Sequence, residues 1–380
     1  MFETTPFAPG ELDAYFRRIG WEGDRRADAA TLRGVHLAHS RAIPFENLDP
    51  LRGTVPSLAP GDLIAKLVRG GRRGGYCYEH NTLFAAVLEA LGFGVTLLTA
   101  RVVVGAQRFE ERPRTHMALL VEVPADPRPY LADVGFGAPG ALLEPVPLTT
   151  NVECHAAGRR HRLVHAPHRG PLELWVLQAR GGLGADGAAR ASGADGASGA
   201  KGASGAAGAS GADRADGASS ADGADRADRA SSADGASGAS GASGASSADG
   251  ASGASGADGA SGADGASRTN GASRTDGASG MSEEGAWQAQ YAFTLEPFER
   301  PDYEVINWHI ATNPRSPFNR RAYVQRVTPD GHLLLDGPLL TESHADGTVE
   351  QRELTDETEV RRVLDERFGI AVPDGTRLLP

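Results

Sequence analysis

The sequence has few cysteines, no excess of basic residues and no long apolar run. Cys77 and Cys154 are the only cysteines in 380 residues, which excludes a disulfide framework. The formal net charge of -11 argues against an extended basic surface for nucleic acid or anionic lipid. No apolar run approaches the roughly 18–20 residues of a membrane-spanning helix, and the first residues do not resemble a secretory signal. These absences predict a soluble, cytoplasmic protein with neither nucleic acid nor membrane as its partner.

Residues 181–280 have almost no side chains that could form a hydrophobic core. They hold 26 of the 50 glycines, 12 aspartates and seven lysines or arginines, and Leu183 is their only large apolar residue. A segment of this composition cannot offset the entropy lost on ordering, so we predict a long disordered insertion at 181–285. The absence of proline from 181–280 and the broken glycine period argue against a collagen-like triple helix.

Strand-like segments stand on both sides of this insertion. The segment "LELWVLQAR" precedes it and "WQAQYAFTLE" follows it, and both have the pattern of half-buried strands. We therefore predict a β-hairpin with an expanded tip, at a loop-closure cost of about 2–3 kcal/mol. Neutral expansion of the tip is the favoured interpretation, and a partner-binding or spacer role is the alternative.

The remaining residues show helical periodicity first and strand periodicity later. The helical segments before residue 90 are "ELDAYFRRIG", "TLRGVHLAHS" with Thr31 as N-cap, "GDLIAKLVRGG" with Asp62 as N-cap, and the run after Cys77. Strand patterns are "VTLLTARVVV", "HMALLVEV" and "YLADVGF", followed late in the chain by the hairpin "AYVQRVTPDGHLLLD". A final amphipathic helix, "TDETEVRRVLDERFGI", begins with Thr355 as its cap. This order predicts an α+β fold.

The stretch "RRGGYCYEHN" (72–81) places Cys77 just before a helical run. Unpaired backbone N–H groups and the positive end of the helix dipole stabilise a thiolate in such a first turn. Arg72 and Arg73 are expected to add positive potential. Gly74 and Gly75 are expected to let the backbone approach closely and to leave room for a ligand. Cys77 is therefore a candidate nucleophile, with a small buried core thiol as the alternative.

A cysteine nucleophile needs a base, and the base needs an acceptor that orients it. His116 opens the strand "HMALLVEV", and Asp133 is a charged residue within the apolar strand "YLADVGF", where it requires a partner. If the turn between them centres on residues 124–125, His116 and Asp133 lie level across an antiparallel hairpin, with Cβ atoms roughly 5 Å apart. We therefore predict a Cys77–His116–Asp133 triad.

A second group of potential ligands lies in "ECHAAGRRHRLVHAPH", which contains Cys154 and four histidines. His161 and His165 would share a face of a strand but lie about 13 Å apart, too far to chelate one ion. A solvated loop is the favoured interpretation of this segment, and we expect no metal site.

Three blocks of the sequence are similar to the active-site blocks of the arylamine N-acetyltransferases. They are "RGGYCYEHN", "RTHMALLV" and "YLADVGFG", and "IPFENL" (43–48) and "TNPRSPF" (312–318) resemble further signatures of the family. The resemblance covers essentially the whole chain except 181–285, an insertion that is not a common feature of the family. It implies a helical bundle, a β-barrel and a C-terminal α/β lid around a cysteine-protease-like catalytic core.

The domains that follow from the resemblance are 1–90 for the bundle carrying Cys77, 91–300 for the barrel carrying His116 and Asp133, and 301–380 for the lid. The barrel would be interrupted by the insertion at 181–285. The implied reaction is acetylation of Cys77 by acetyl-CoA, followed by transfer to an arylamine, arylhydroxylamine or hydrazine with ping-pong kinetics. Acetyl-CoA would be a co-substrate, and no cofactor would be permanently bound.

Further positions carry implied roles in substrate binding. Phe45 and Phe136 match residues that line the acceptor pocket of the family. Thr115, Gly135 and Gly137 match the region where the pantetheine arm approaches the backbone. The acceptor amine, the preferred acyl chain and the oligomeric state are not indicated by the sequence.

Two other activities use the same triad chemistry. An amide synthase that closes a macrolactam in polyketide biosynthesis resembles this family, and only its acyl pocket and genetic context distinguish it. A cysteine peptidase shares the Cys–His–Asp logic, but no sequence feature indicates a peptide-binding cleft.

Overall fold

The computed structural model describes residues 7–379, except for 125, 157, 181–285, 330 and 345. The helices are α1 (Glu11–Ile19), α2 (Ala29–Ala42), α3 (Leu48–Leu51), α4 (Pro60–Leu63), α5 (Cys77–Ala90), α6 (Arg300–Thr312) and α7 (Glu357–Val363). Helix α4 continues as a π-helix over Ile64–Arg69, and α7 continues likewise over Leu364–Phe368. Within these described ranges, no helix is both long and apolar enough to cross a membrane.

The predicted helices are present, but three predicted caps are wrong. Asp28 rather than Thr31 caps α2, because its carboxylate accepts a 2.8 Å hydrogen bond from the Thr31 backbone N–H. Asp356 rather than Thr355 caps α7 in the same manner. Helix α4 begins at Pro60 instead of after Asp62, since proline fits the first turn, where its missing N–H leaves no bond unmade.

Thirteen strands are described, and they form two antiparallel sheets. Strand β1 (Phe45–Glu46) comes first in the chain. The next eight strands are β2 (Gly94–Val102), β3 (Arg114–Glu122), β4 (Tyr130–Ala132), β5 (Val146–Pro147), β6 (Cys154–Ala156), β7 (Arg159–Ala166), β8 (Leu174–Arg180) and β9 (Gln288–Phe293). These eight strands make one sheet in the order β5-β4-β3-β2-β9-β8-β7-β6. A bridge between Thr150 and Leu163 brings the chain after β5 back to β7, so the sheet nearly closes into a barrel.

The hairpin predicted around the insertion is confirmed by the pairing of β8 with β9. The two strands run antiparallel with Leu177 opposite Tyr291, although the chain between them is more than a hundred residues long. The disorder predicted for 181–285 concerns residues outside those that the structure describes.

The second sheet contains the C-terminal strands β10 (Tyr323–Thr328), β11 (Gly331–Asp336), β12 (Leu339–His344) and β13 (Val349–Glu353). The predicted β10–β11 hairpin is confirmed, with Thr328 opposite Gly331. Strand β1 of the "IPFENL" segment pairs with β10, so that Phe45 lies opposite Gln325. A strand from the first 90 residues therefore belongs to the C-terminal sheet, and the domain boundaries at 90 and 300 stay a prediction.

Alternate side chains of β3 are buried in two different cores. Met117 and Leu119 pack in the core formed with the N-terminal helices. Ala118 packs in the interior of the barrel together with Tyr291. His116 has the same parity as Ala118 and therefore points to the barrel side. The helices and the barrel thus meet at β3, which confirms the predicted α+β fold.

Candidate active site

Cys77 is the first residue of α5, as the sequence pattern predicts. Its backbone N–H is one of those that an α-helix leaves without an intrahelical partner, at the positive end of the dipole. The start of the helix is fixed by Glu79, whose carboxylate accepts a 3.1 Å hydrogen bond from the Tyr76 N–H. Cys77 is 4% exposed, and its Sγ lies 4.0 Å from the Thr115 carbonyl oxygen on β3.

His116 and Asp133 meet as predicted, but in a different register. Strands β3 and β4 pair with Leu119 opposite Ala132, so the hairpin centres on residues 125–126 rather than 124–125. Asp133 follows the last residue of β4 and lies diagonal to His116 instead of level with it. Nε2 of His116 nevertheless donates to Oδ2 of Asp133 at 2.7 Å, because diagonal neighbours on one face remain within reach.

Mutual charge and hydrogen bonds, acting against burial, favour an imidazolium–carboxylate pair at His116 and Asp133. The two residues are only 3% and 1% exposed. Burial acts to lower the pKa of His116, but the Asp133 carboxylate and hydrogen bonds with Asp133 and Cys77 raise that pKa above its ordinary value. Burial acts to raise the pKa of Asp133, but the charge of His116 and its hydrogen bonds lower it. The second ring nitrogen of His116, Nδ1, is left to interact with the Cys77 sulfur.

Asn81 orients the Asp133 carboxylate, a role that the sequence analysis missed. Its Nδ2 donates to Oδ1 of Asp133 at 2.9 Å, and its Oδ1 accepts a 3.1 Å bond from the Val134 N–H. The Gly135 N–H adds a second 2.9 Å bond to the same carboxylate oxygen. Asn81 lies four residues after Cys77, and this i, i+4 spacing on one helix face is the signal that would have revealed it.

Phe45 and Phe136 lie close to the triad, as the resemblance implies. The Phe136 ring packs edge to face on His116, with centroids 5.1 Å apart. The Phe45 ring contacts Phe318 of the "TNPRSPF" segment and Tyr323, both with centroids 6.0 Å apart. Phe45 and Phe136 also line one narrow cavity together with Asp133. Their role in binding an acceptor stays a prediction.

The glycines of "VGFG" are packed against protein atoms of the site. A Cβ at Gly135 would lie 2.8 Å from the Cα of Cys77, and a Cβ at Gly137 would lie 2.7 Å from the Phe45 ring. Both positions therefore require glycine whether or not a pantetheine arm approaches them. Thr115 presents its carbonyl oxygen to the Tyr78 hydroxyl at 2.6 Å. The contacts of Thr115, Gly135 and Gly137 with acetyl-CoA remain predictions.

Gly135→Ala is expected to destabilise the fold by about 1–3 kcal/mol and to reduce activity, since the added methyl group meets the backbone of Cys77. Gly61→Ala is the matched control, because a Cβ there meets no atom within 4 Å and the position is helical. Thermal unfolding and initial rates of both variants test this expectation. Equal behaviour of the two variants would contradict it.

The arginines and glycines before Cys77 contact other parts of the protein, which corrects two expectations. Arg73 donates to Glu46 at 2.8 Å and to Asp49 at 2.7 Å, and Arg72 is paired with Asp365. Their charges are therefore compensated and do not provide free positive potential at the thiol.

Gly74 makes room for the residue before strand β1 and Gly75 makes room for the Glu79 side chain, rather than for a ligand. A Cβ at Gly74 would overlap the Pro44 carbonyl oxygen. The Gly75 carbonyl accepts a 2.8 Å hydrogen bond from the Glu46 N–H, within a bridge between Gly75 and Phe45. These contacts join the "RGGYC" and "IPFENL" segments.

The cysteine- and histidine-rich segment forms strands β6 and β7, so the expected solvated loop is wrong. Cys154 lies opposite His161 across this strand pair. His161 is buried, and its Nε2 donates to the Gly140 carbonyl at 3.0 Å. Among the described residues, no group of three or more Cys, His, Asp or Glu side chains is arranged to hold a metal ion.

Comparisons with known proteins identify the relatives of this chain. A model of the N-acetyltransferase family matches residues 28–183 and 267–377. An arylamine N-acetyltransferase of Mycolicibacterium smegmatis is 30% identical over 372 residues, which cover 96% of this chain and 93% of that protein. The crystal structure of the Nocardia farcinica arylamine N-acetyltransferase is 31% identical with a TM-score of 0.64, over 95% of this chain and 90% of that one.

A further similar structure is the Mycobacterium marinum arylamine N-acetyltransferase in complex with CoA. It is 26% identical with a TM-score of 0.62, over 94% of this chain and 92% of that one. The fold and these matches define the protein as an N-acetyltransferase. The chain belongs to the arylamine N-acetyltransferase family, as its sequence blocks predict.

Proposed function

We propose that the protein transfers an acetyl group from acetyl-CoA to an arylamine, arylhydroxylamine or hydrazine through an acetyl-Cys77 thioester. The observation that carries this proposal is the buried 2.7 Å contact between His116 and Asp133, beside a cysteine at the first residue of a helix. Three side chains suited to act as nucleophile, base and orienting group thus come from three separate segments, which supports the proposal.

Before the first half-reaction, the proton of the Cys77 thiol has passed to Nδ1 of His116, which leaves a thiolate–imidazolium pair. The sulfur then attacks the carbonyl carbon of acetyl-CoA, and the C–S bond to CoA breaks. CoA leaves as a thiol after taking the proton from His116, and the acetyl group stays on Cys77. Asp133 holds the imidazole through Nε2 and stabilises the imidazolium while it exists.

In the second half-reaction, the neutral amine attacks the carbonyl carbon of acetyl-Cys77. The C–S bond breaks, the Cys77 thiolate leaves, and the amine proton passes to His116. The N-acetylated product departs and the thiolate–imidazolium pair is restored. Aromatic amines and hydrazines are weak bases that remain unprotonated at neutral pH, so they attack without a further strong base.

Acetyl-CoA is assigned as a co-substrate, with no permanently bound cofactor. The M. marinum relative in complex with CoA supports this assignment. We assign Thr115, Gly135 and Gly137 to the approach of the pantetheine arm and Phe45 and Phe136 to the acceptor side. In support, Thr115, Gly135 and Phe136 lie next to Cys77 or His116. Gly137 packs on Phe45, which lines one cavity with Phe136.

Intact-mass analysis with acetyl-CoA alone tests the proposal directly. Wild-type protein is expected to gain one acetyl group, which peptide mapping locates on Cys77, and to lose it when an arylamine is added. Cys154→Ala is the matched control and is expected to behave as the wild type, because Cys154 lies on β6. No acetylation by acetyl-CoA, with acylation by a long-chain donor instead, would contradict the proposal and indicate an amide synthase.

A further inference from the structure

The loop between β4 and β5 carries Asp133, Gly135 and Phe136, and side chains from distant elements hold its backbone. Because this loop has no strand partner of its own over 133–143, its N–H and C=O groups need such partners. The side chains that bind its backbone are those of His36 on α2, Asn81 on α5, Arg159 and His161 on β7, and Tyr323 on β10.

His36 is the member of this group that binds both ends of the loop. Its Nε2 lies 3.1 Å from the Asp133 backbone nitrogen, and its Nδ1 lies 3.1 Å from the Leu143 carbonyl oxygen. The side chain is fully buried, and its ring packs edge to face on Phe84 of α5 with centroids 5.6 Å apart.

The two partners of His36 allow one protonation state only. The Asp133 N–H can only donate, so Nε2 of His36 must be the acceptor. The Leu143 carbonyl can only accept, so Nδ1 must carry the proton. Burial lowers the pKa of His36 to about 4, which agrees with a neutral ring at neutral pH. His36 is therefore a fixed, uncharged connector rather than a titrating group.

We propose that His36 is a positioning residue for Asp133, because its neutral imidazole on α2 forms hydrogen bonds with the backbone of both residue 133 and residue 143. This proposal rests on the triad of the proposed function. The position of the Asp133 carboxylate depends on the position of the Asp133 backbone. If the backbone N–H of Asp133 shifts away from His36, the carboxylate also moves away from His116. A displacement of about 1 Å in a catalytic group can lower a rate on the order of 100-fold.

The property that reports on this geometry is the reactivity of the Cys77 sulfur beside His116. The groups that face His116 are Asp133, Cys77 and Tyr291. The groups that face His36 are Asp133, His39 and His161. The tyrosines that surround Cys77 are Tyr76, Tyr78 and Tyr303. Burial raises the pKa of each of these three tyrosines and lowers the pKa of His39 and of His161. None of these groups changes charge near neutral pH. Burial raises the pKa of Glu79, two residues from Cys77, to about 7, but Glu79 is common to all the variants compared. A difference between variants in the pH dependence of reactivity therefore reports on Cys77, His116 and Asp133.

The test compares His36→Leu with His36→Gln. Leucine removes both hydrogen bonds but keeps the apolar volume, whereas glutamine can accept from the Asp133 N–H and donate to the Leu143 carbonyl. We expect His36→Leu to lower kcat/KM on the order of 10–100-fold. Alkylation of Cys77 by iodoacetamide, followed by peptide mapping, should slow more at mildly acidic than at mildly alkaline pH, since a weaker imidazolium stabilises less thiolate. His36→Gln should restore most of both properties.

Val35→Ala is the matched control, since it opens a cavity next to His36 in the same buried helix face. It should lower the unfolding temperature without changing the pH dependence of alkylation. If His36→Leu behaves like Val35→Ala, or if glutamine does not restore the pH profile, His36 is only a structural residue. Because alkylation needs no acetyl-CoA, this test gives its result even if the wild-type protein fails to become acetylated and the proposed function is wrong.

Discussion

Replacing Cys77 by alanine is expected to abolish acetyl transfer while leaving the protein folded. The proposed reaction passes the acetyl group through the Cys77 sulfur, and an alanine side chain has no atom that can carry it. Loss of a nucleophile lowers turnover by at least the order of 10⁴-fold in comparable triads. Alanine is a good helix former, and the hydrogen bonds that start α5 come from Glu79 and backbone groups.

The measurement combines initial rates of arylamine acetylation with circular dichroism and thermal unfolding of Cys77→Ala. Cys154→Ala provides the control, since it also removes a cysteine but from strand β6. Residual activity of the Cys77 variant above the uncatalysed rate, at unchanged fold, would show that the acetyl group follows another route.

The start of α5 could be predicted because its determinants are local. Two glycines, a cysteine and an amphipathic run lie within a few residues of one another, and the helix begins at Cys77 in the structure. The β8–β9 hairpin could also be predicted, because strand periodicity survives on both sides of the insertion. Local signals therefore indicated both the position of Cys77 at the helix start and the strand pairing of the barrel.

The relative position of His116 and Asp133 was predictable only to within two residues. Counting residues placed them level across a hairpin, but the register depends on the turn conformation, which the segment "PADPRP" does not determine. The contact survives this error because both residues keep the same face of the sheet. The proximity of the pair is thus more robust than the register from which it was inferred.

Partners that are distant in the chain could not be predicted from the residues themselves. Arg72 precedes its partner Asp365 by almost 300 residues, and Arg73 pairs with Glu46 of another segment. His36 lies on an amphipathic helix, where its spacing indicates burial but not that it meets Asp133. Only the folded chain shows whether a charge is free and which backbone groups a buried histidine satisfies.

Asp133→Asn is expected to lower activity on the order of 10³–10⁴-fold, because the structure forces the wrong imidazole tautomer. Oδ1 of residue 133 accepts from Asn81 and from the Gly135 N–H, so an asparagine keeps its oxygen there. Its amide NH₂ group then faces Nε2 of His116, which must become an acceptor. The proton moves to Nδ1, and His116 can no longer take the proton of the Cys77 thiol.

The same substitution changes the pH dependence of stability in a defined direction. Asp133 raises the pKa of His116, so the resulting stabilisation is fully present below the ordinary histidine pKa of about 6.5 and disappears as pH rises through the raised value. The lowered pKa of Asp133 adds stabilisation that disappears as pH falls through that value. The free energy of unfolding should therefore differ most between wild type and Asp133→Asn at mildly acidic pH, and the difference should narrow at alkaline pH.

Denaturant unfolding across this pH range, with initial rates at neutral pH, tests both effects of Asp133→Asn. Asp126→Asn serves as the control, because Asp126 lies in the same β3–β4 connection and pairs with Arg128 near the surface. Surface pairs of this kind contribute little to stability, so this variant should fold and react as the wild type does. A wild-type rate for Asp133→Asn, or a stability difference that grows towards alkaline pH, would show that His116 does not depend on the Asp133 carboxylate.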